Sequence, residues 1–106
     1  MKKYTLYIGL NDQHTRRQEI PTEKAVEIIA GIFYSIIDGA TISQGRGIYT
    51  HDDGQKVSEK TIISEIFGGD LDAIKAAAQA IKTALNQEAI ALQVEENSLD
   101  WVSKDT

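Results

Sequence analysis

Six apolar segments with the spacing of either a strand or a helix follow one another along this 106-residue chain. Residues 4–10 alternate between apolar and polar, which is the period of a strand with one buried face. Residues 20–39 and 71–87 repeat apolar side chains every three or four positions, which is the period of an amphipathic helix. Strand character returns in the segments 40–50, 55–67 and 88–96. The chain is therefore predicted to run strand, helix, strand, strand, helix, strand.

Several residues mark where these elements begin and end. Pro21 and Thr22 open the first helix, and the hydroxyl of Thr22 is expected to cap its free N–H groups. Gly39 follows the last periodic residue and is a typical C-terminal stop. Asp70 is expected to cap the second helix, and residues 51–54, with the sequence HDDG, are predicted to form a tight hairpin turn.

That element order is typical of the α+β ferredoxin-like fold, written βαββαβ. It predicts a four-stranded antiparallel sheet with both helices on one face. We expect a single domain over residues 1–95 and a C-terminal tail over 96–106. The tail carries Leu99, Trp101 and Val102, which have no internal position and are expected to pack on a partner subunit.

The third strand has apolar residues on both sides, with Ile62 on one and Ile63 on the other. A strand of this kind is typically covered on both faces. The helices account for only one covering layer. We therefore expect the open sheet face to pack on another copy, giving a homo-oligomer, either a dimer or a trimer.

Charge and composition restrict the classes of partner. The net charge is -5 and the chain contains no cysteine. An acidic surface argues against general binding to nucleic acids or to an anionic membrane, and the lack of thiols excludes thiolate chemistry. No apolar run reaches the roughly 18 residues that a membrane span needs. A cytoplasmic protein without a cofactor is expected.

The stretch GRGIYT, residues 45–50, is the strongest candidate for a binding site. Glycines within a strand weaken it and usually mark either a bulge or a close approach to the backbone. Bare N–H groups beside the guanidinium of Arg46 would suit an anion. The alternative is a bulged edge with a surface arginine paired to a carboxylate. The residues expected to bind the ligand are Thr41, Gly45, Arg46, Gly47, Tyr49, Arg16 and Arg17.

Other site chemistry has weaker support in the sequence. His14 and His51 occur without the spacing of a metal motif, so no metal site is expected. Neighbouring strand residues point to opposite faces, which separates Thr50 from His51 as a nucleophile and base. A pair of carboxylates could arise by chance among Asp52, Asp53, Glu59, Glu65 and Glu88. No catalytic residue is predicted.

Residues 39–47, with the sequence GATISQGRG, resemble the end of the first helix and the second strand of PII-type signalling proteins. The matching residues are Gly39, Thr41, Ile42, Ser43 and Gly47. The resemblance implies a ferredoxin-like core over residues 4–95, a trimer, and nucleotide binding in clefts between subunits. It implicates the strand from Thr41 to Gly47. The long loop of that family is reduced here to a hairpin, and its lysine- and glycine-rich motif near the last strand is replaced by LNQEAIAL.

Three functional hypotheses follow. The first is a non-catalytic oligomeric module that regulates or sequesters a small anionic ligand, such as a nucleotide, near Arg46. The second is an inhibitor or adaptor of the phage or mobile-element type, which would depend on exposed apolar groups such as Trp101. The third is an enzyme of a type that no motif identifies.

Overall fold

The chain forms one layer of strands and one layer of helices in a computed structural model that describes residues 1–102. The elements are β1 (Lys2–Gly9), α1 (Thr22–Ile36), β2 (Thr41–Thr50), β3 (Lys56–Phe67), α2 (Leu71–Ala84) and β4 (Ala91–Glu96). All four strands lie in one antiparallel sheet in the order β2-β3-β1-β4. The predicted ferredoxin-like βαββαβ fold is confirmed. Residues 103–106 of the predicted tail lie outside the described residues.

The core lies between one face of the sheet and the two helices. Alternate residues of β1 face it, and Leu6 and Ile8 are completely buried. In β3, Ile62 lies opposite Ile8 and is also completely buried. Full burial of an isoleucine or leucine side chain contributes roughly 1.5–3 kcal/mol. The helices complete this core with Ala25, Ile29, Phe33, Ile74, Ala77 and Ile81.

The two helices begin differently. The Asp70 side chain accepts a hydrogen bond from the backbone N–H of Asp72 at 3.2 Å, so the predicted cap of α2 is confirmed. The predicted cap of α1 is wrong. Thr22 is already the first helical residue, so its hydroxyl lies past the capping position and instead accepts a hydrogen bond from the Gln18 side chain at 3.0 Å.

The end of α1 also differs from the prediction. The helix ends at Ile36, and Ile37 has extended backbone with its N–H bonded to the carbonyl of Phe33. Gly39 lies beyond this point and does not itself terminate the helix. The side chain of Ile37 packs against the core, so apolar packing continues past the last helical turn.

The β2–β3 hairpin pairs without interruption from Thr41 opposite Glu65 to Thr50 opposite Lys56. Each residue of β2 faces one residue of β3, so the bulge considered for this strand is wrong. The turn predicted at HDDG is confirmed. Gly54 has a φ of 86°, in the left-handed region that glycine adopts readily, and its N–H bonds to the His51 carbonyl.

The outer half of this hairpin gives the molecule an elongated shape. All residues from 44 to 58 are exposed or half-buried. The molecule extends 53 × 26 × 25 Å, and its radius of gyration is 15.0 Å, against about 13 Å for a compact chain of this length. Ile48 in the hairpin and Trp101 near the C-terminus are 77% and 79% exposed.

No helix within residues 1–102 has both the length and the apolar character needed to cross a membrane.

Ser64 is a polar residue in the apolar core. It is completely buried opposite Leu6, and its hydroxyl has no hydrogen-bond partner within residues 1–102. Because a buried hydroxyl without a partner loses its hydration, Ser64→Ala is expected to raise the free energy of unfolding by about 1 kcal/mol. Urea denaturation measures this. Ser43→Ala, on the exposed edge strand, is the control and should change stability by less than ~0.5 kcal/mol. A clear loss of stability in Ser64→Ala would contradict the expectation.

Candidate functional site

Three glycines lie together on the sheet face opposite the helices. Gly9 in β1 and Gly45 in β2 face Thr61 of β3 from its two sides, and Gly47 of β2 faces Glu59. Because side chains alternate along a strand, all these positions point away from the core. The centre of the open face therefore has three positions without a side chain of their own.

The neighbouring side chains occupy the space that these glycines leave. A Cβ added to Gly9 would overlap the carboxylate of Glu59, and a Cβ added to Gly47 would lie 2.7 Å from the Thr61 hydroxyl oxygen. At Gly45 the added atom would lie 3.2 Å from the Ile63 side chain. Larger residues would therefore displace Glu59 and Thr61, which are themselves part of the surface described next.

An open cavity of about 680 Å³ lies over the glycines and is called here the open-face cavity. Tyr7 and Tyr49 line it from β1 and β2. The loop that follows β1 and the segment that precedes β4 close one end of it. The residues supplied by these two connections are Asn11, Asp12, Gln13, Arg16, Gln87, Glu88, Ala89 and Ile90.

Glu59 lines this cavity and is held in place by the loop after β1. Its Oε2 accepts a hydrogen bond from the backbone N–H of Asn11 at 2.8 Å, which directs the carboxylate across Gly9. Burial and the nearby Glu59 carboxylate together raise the pKa of Tyr49. The Tyr49 ring also packs edge-on against His51, with the ring centres 5.2 Å apart. The tyrosine, the histidine and the carboxylate therefore form one connected wall.

The loop after β1 is fixed by the Asp12 carboxylate. One oxygen accepts from the backbone N–H groups of His14 and Thr15 at 2.8 and 3.1 Å, and the other accepts from the Asn86 side chain at 2.8 Å. These hydrogen bonds, the one from Asn86 first, lower the pKa of Asp12. The Arg16 N–H bonds to the Asp12 carbonyl at 2.8 Å. The loop is thus a compact turn rather than an extended connection.

Arg16 links this loop to the hairpin tip. Its Nη1 donates to the Asp53 carboxylate at 3.0 Å and to the Gln55 side chain at 3.1 Å. Arg16 has a φ of 61°, which is unusual for a residue other than glycine. The turn predicted for HDDG therefore also carries a contact with a distant loop.

The structure separates the predicted binding residues into two groups. Gly45 and Gly47 form the floor of the open-face cavity, and Tyr49 and Arg16 form parts of its walls. The side chains of the other three predicted residues, Arg46, Arg17 and Thr41, lie outside the cavity.

Arg46 borders the cavity between the two glycines, but strand alternation places its side chain on the opposite face. There its Nη1 donates to the Ser58 hydroxyl at 2.8 Å. Arg17 is 77% exposed at its side chain and pairs with Glu19 at 2.7 Å, outside the cavity. Thr41 begins β2 at the far end from the hairpin turn and does not line the cavity.

The predicted binding residues did not include Gly9, Tyr7 or Glu59, and Glu59 was considered only as a member of a chance carboxylate pair. The available signal was alternation, since glycines two positions apart in β2 must share a face. Gly9 lies inside an otherwise apolar strand, which is a further sign of close approach. Within residues 1–102, the histidine, aspartate and glutamate side chains form no group of three that could hold a metal ion.

Comparisons with known proteins give likeness in structure only. No family model matches the chain, and no curated protein matches it in sequence. A phage SAM lyase in complex with S-methyl-5′-thioadenosine is similar with a TM-score of 0.61 and 21% identity, over 90% of this chain and 80% of that chain. Its apo state gives a TM-score of 0.65 and 20% identity, over 96% and 92%.

CutA1 from Pyrococcus horikoshii is also similar, with a TM-score of 0.59 and 15% identity, over 99% of this chain and 89% of that chain. At these identities the likeness establishes a shared fold. The resemblance to PII-type proteins is supported only as far as the ferredoxin-like fold.

Asp12 should make the stability of the cavity loop depend on acidity. Its pKa is lowered on folding, so its carboxylate stabilises the fold above the ordinary value of 3.8, and this contribution is lost as the pH falls through the lower folded pKa. Asp12→Asn should therefore be less stable than wild type at pH 7, and the difference should shrink below about pH 4. Urea denaturation from pH 7 to pH 3 measures it.

Asp52→Asn is the matched control, since Asp52 is an exposed residue of the hairpin tip. Its effect should stay within ~0.5 kcal/mol throughout. An Asp12→Asn difference that does not change with pH would contradict the assigned role of the carboxylate.

Proposed function

We propose that the protein binds S-adenosylmethionine, or the thioadenosine that remains after loss of its amino acid chain, in the open-face cavity. The observation that carries this proposal is the glycine floor with Glu59 and two tyrosines around it. The missing side chains at the glycines keep the floor of the cavity low, and the two tyrosines provide stacking surfaces for a flat ring. The ligand is a small molecule with one aromatic base, one sugar and one charged chain.

The charge of the cavity favours a cationic ligand over the anionic ligand expected from GRG. Asp12, Glu59 and Glu88 line the cavity, whereas Arg16 is the fixed cation whose side chain bonds to the hairpin at its rim. Arg46, on which the anion hypothesis depended, directs its side chain to the other face. A sulfonium beside a carboxylate and tyrosine rings has both charge and cation–π stabilisation.

The similar structures support this choice of ligand. Two structures of a phage SAM lyase share the fold over at least 90% of this chain, and one of them contains S-methyl-5′-thioadenosine. The same likeness makes cleavage of S-adenosylmethionine the second candidate function. The carboxylate of the substrate would attack its own Cγ atom, and the electrons of the carbon–sulfur bond would pass to sulfur and neutralise the sulfonium. The products would be a lactone and S-methyl-5′-thioadenosine.

Titration calorimetry with S-adenosylmethionine and S-methyl-5′-thioadenosine tests the proposal. Wild type should bind both compounds. Gly47→Val should bind neither, because the added side chain displaces Thr61 and fills the floor. Glu59→Gln should weaken S-adenosylmethionine binding by about tenfold or more, since it loses a charged partner, and should affect the neutral thioether less.

Glu23→Gln, an exposed change in α1, is the control and should bind both compounds as wild type does. Formation of S-methyl-5′-thioadenosine in the samples that contain S-adenosylmethionine would show that the protein also has the lyase activity. If wild type binds neither compound, the proposal fails and the adaptor hypothesis takes its place.

We also propose that a second copy covers the open side of the cavity. The elongated shape, the partly exposed rings of Tyr7 and Tyr49 on the open face and the exposed Trp101 support this assembly. Light scattering should therefore give a mass of two or three copies. Truncation after Glu96 should weaken self-association if the tail forms the contact. A monomer at high micromolar concentration in the intact protein would contradict the assembly.

A further inference from the structure

We infer that Arg16 binds the carboxylate of the amino acid chain of the ligand and so makes the cavity select nucleosides that carry this chain. The inference rests on the proposed function, and it assigns a specificity-determining residue within the same site. It concerns one end of the ligand only. The base and the sugar are left to the glycine floor and the tyrosines.

The first argument is the way in which the arginine is held. Arg16 lies in the turn fixed by Asp12, and its own N–H bonds to the Asp12 carbonyl at 2.8 Å. Its φ of 61° is a conformation that long side chains rarely adopt. The hydrogen bonds of Asp12 to His14, Thr15 and Asn86 impose this conformation, which places the arginine at the cavity rim.

The second argument is the donor capacity that remains on the guanidinium. Within the described part of the chain, both side-chain hydrogen bonds of Arg16 are made by Nη1, to Asp53 and Gln55. The other N–H groups of the guanidinium are therefore free to donate to a carboxylate in the two-point geometry that arginine favours. The side chains of Arg16 and Asp53 are 46% and 55% exposed, so their ion pair is a weak competitor.

The third argument is the distribution of charge around the cavity. An amino acid chain carries one ammonium and one carboxylate. Glu59 and Glu88 suit the ammonium and the sulfonium, but both would repel the carboxylate. Among residues 1–102, Arg16 is the one arginine whose side chain lies on the cavity side of the sheet. Arg17 pairs with Glu19 outside the cavity, and Arg46 bonds to Ser58 on the other face.

Three ligands separate this role from the rest of the site. S-methyl-5′-thioadenosine has neither the chain nor the positive sulfur. S-adenosylhomocysteine has the chain with a neutral sulfur. S-adenosylmethionine has both. Calorimetric titration of the three against each variant therefore reports on the chain and on the sulfonium independently.

Arg16→Asn is the test variant, because asparagine tolerates a positive φ and preserves the turn. We expect it to weaken S-adenosylhomocysteine and S-adenosylmethionine by about tenfold or more, as for a lost hydrogen bond to a charged group, with S-methyl-5′-thioadenosine unchanged within about twofold. Arg16→Lys should restore part of the loss, since an ammonium lacks the two-point geometry. Arg17→Gln is the matched control and should leave all three affinities unchanged.

The outcomes separate the inference from the proposed function. If wild type binds none of the three ligands, the proposed function fails and the inference fails with it. If wild type binds them and Arg16→Asn weakens all three equally, Arg16 only maintains the loop and the inference alone is overturned. Unchanged affinities in Arg16→Asn would also overturn it. Loss confined to the two ligands that carry the chain supports it.

Discussion

Strand β1 lies inside the sheet and bonds to β3 along one edge and to β4 along the other. Its side chains point alternately to the helix side and to the open side of the sheet, so the position of a residue in β1 decides which of the two surfaces it faces. Leu6 and Ile8 pack one face against the helices, and on the other face Gly9 leaves room for the Glu59 carboxylate. The apolar core and the open-face cavity are therefore opposite sides of the same strand. A change of register by one residue would exchange them.

The end of the cavity depends on contacts between parts of the chain that are far apart in sequence. Asp12 bonds to Asn86, and the Gln87 side chain donates to the Asn11 carbonyl at 2.7 Å. Asn86, like Arg16, has a positive φ, at 50°. The conformation of Asn86 belongs to the end of α2, where the N–H groups of Asn86 and Gln87 bond to the carbonyls of Thr83 and Lys82 in a Schellman motif. The end of α2 thus places Asn86 where its side chain can bond to Asp12.

The sequence predicted the element order, the sheet and the hairpin turn, because each depends on local periodicity or on turn residues. The orientation of Arg46 could also have been predicted from the sequence. Gly45 and Gly47 are two positions apart in a strand and share one face, so the side chain of Arg46 between them must point to the other face. The contact of Arg16 with Asp53 could not be predicted, because it requires the hairpin to lie against a loop that precedes it by about 37 residues in sequence. The missing side-chain cap on α1 could not be predicted either. The helix begins at Thr22 and not one residue later, and a sequence pattern does not define the end of a helix to within one residue.

Arg46 affects the pairing of β2, because its side chain lies on the helix side of this edge strand. It faces Lys60 across the β2–β3 ladder, and like charges opposite one another destabilise a strand pair. The free edge of β2 is a template for any extended chain, and a positive charge in its middle disfavours addition of an apolar strand. A strand with a carboxylate beside Arg46 would instead relieve the repulsion from Lys60. Arg46 therefore makes pairing of this edge with an apolar strand less favourable than pairing with an acidic one.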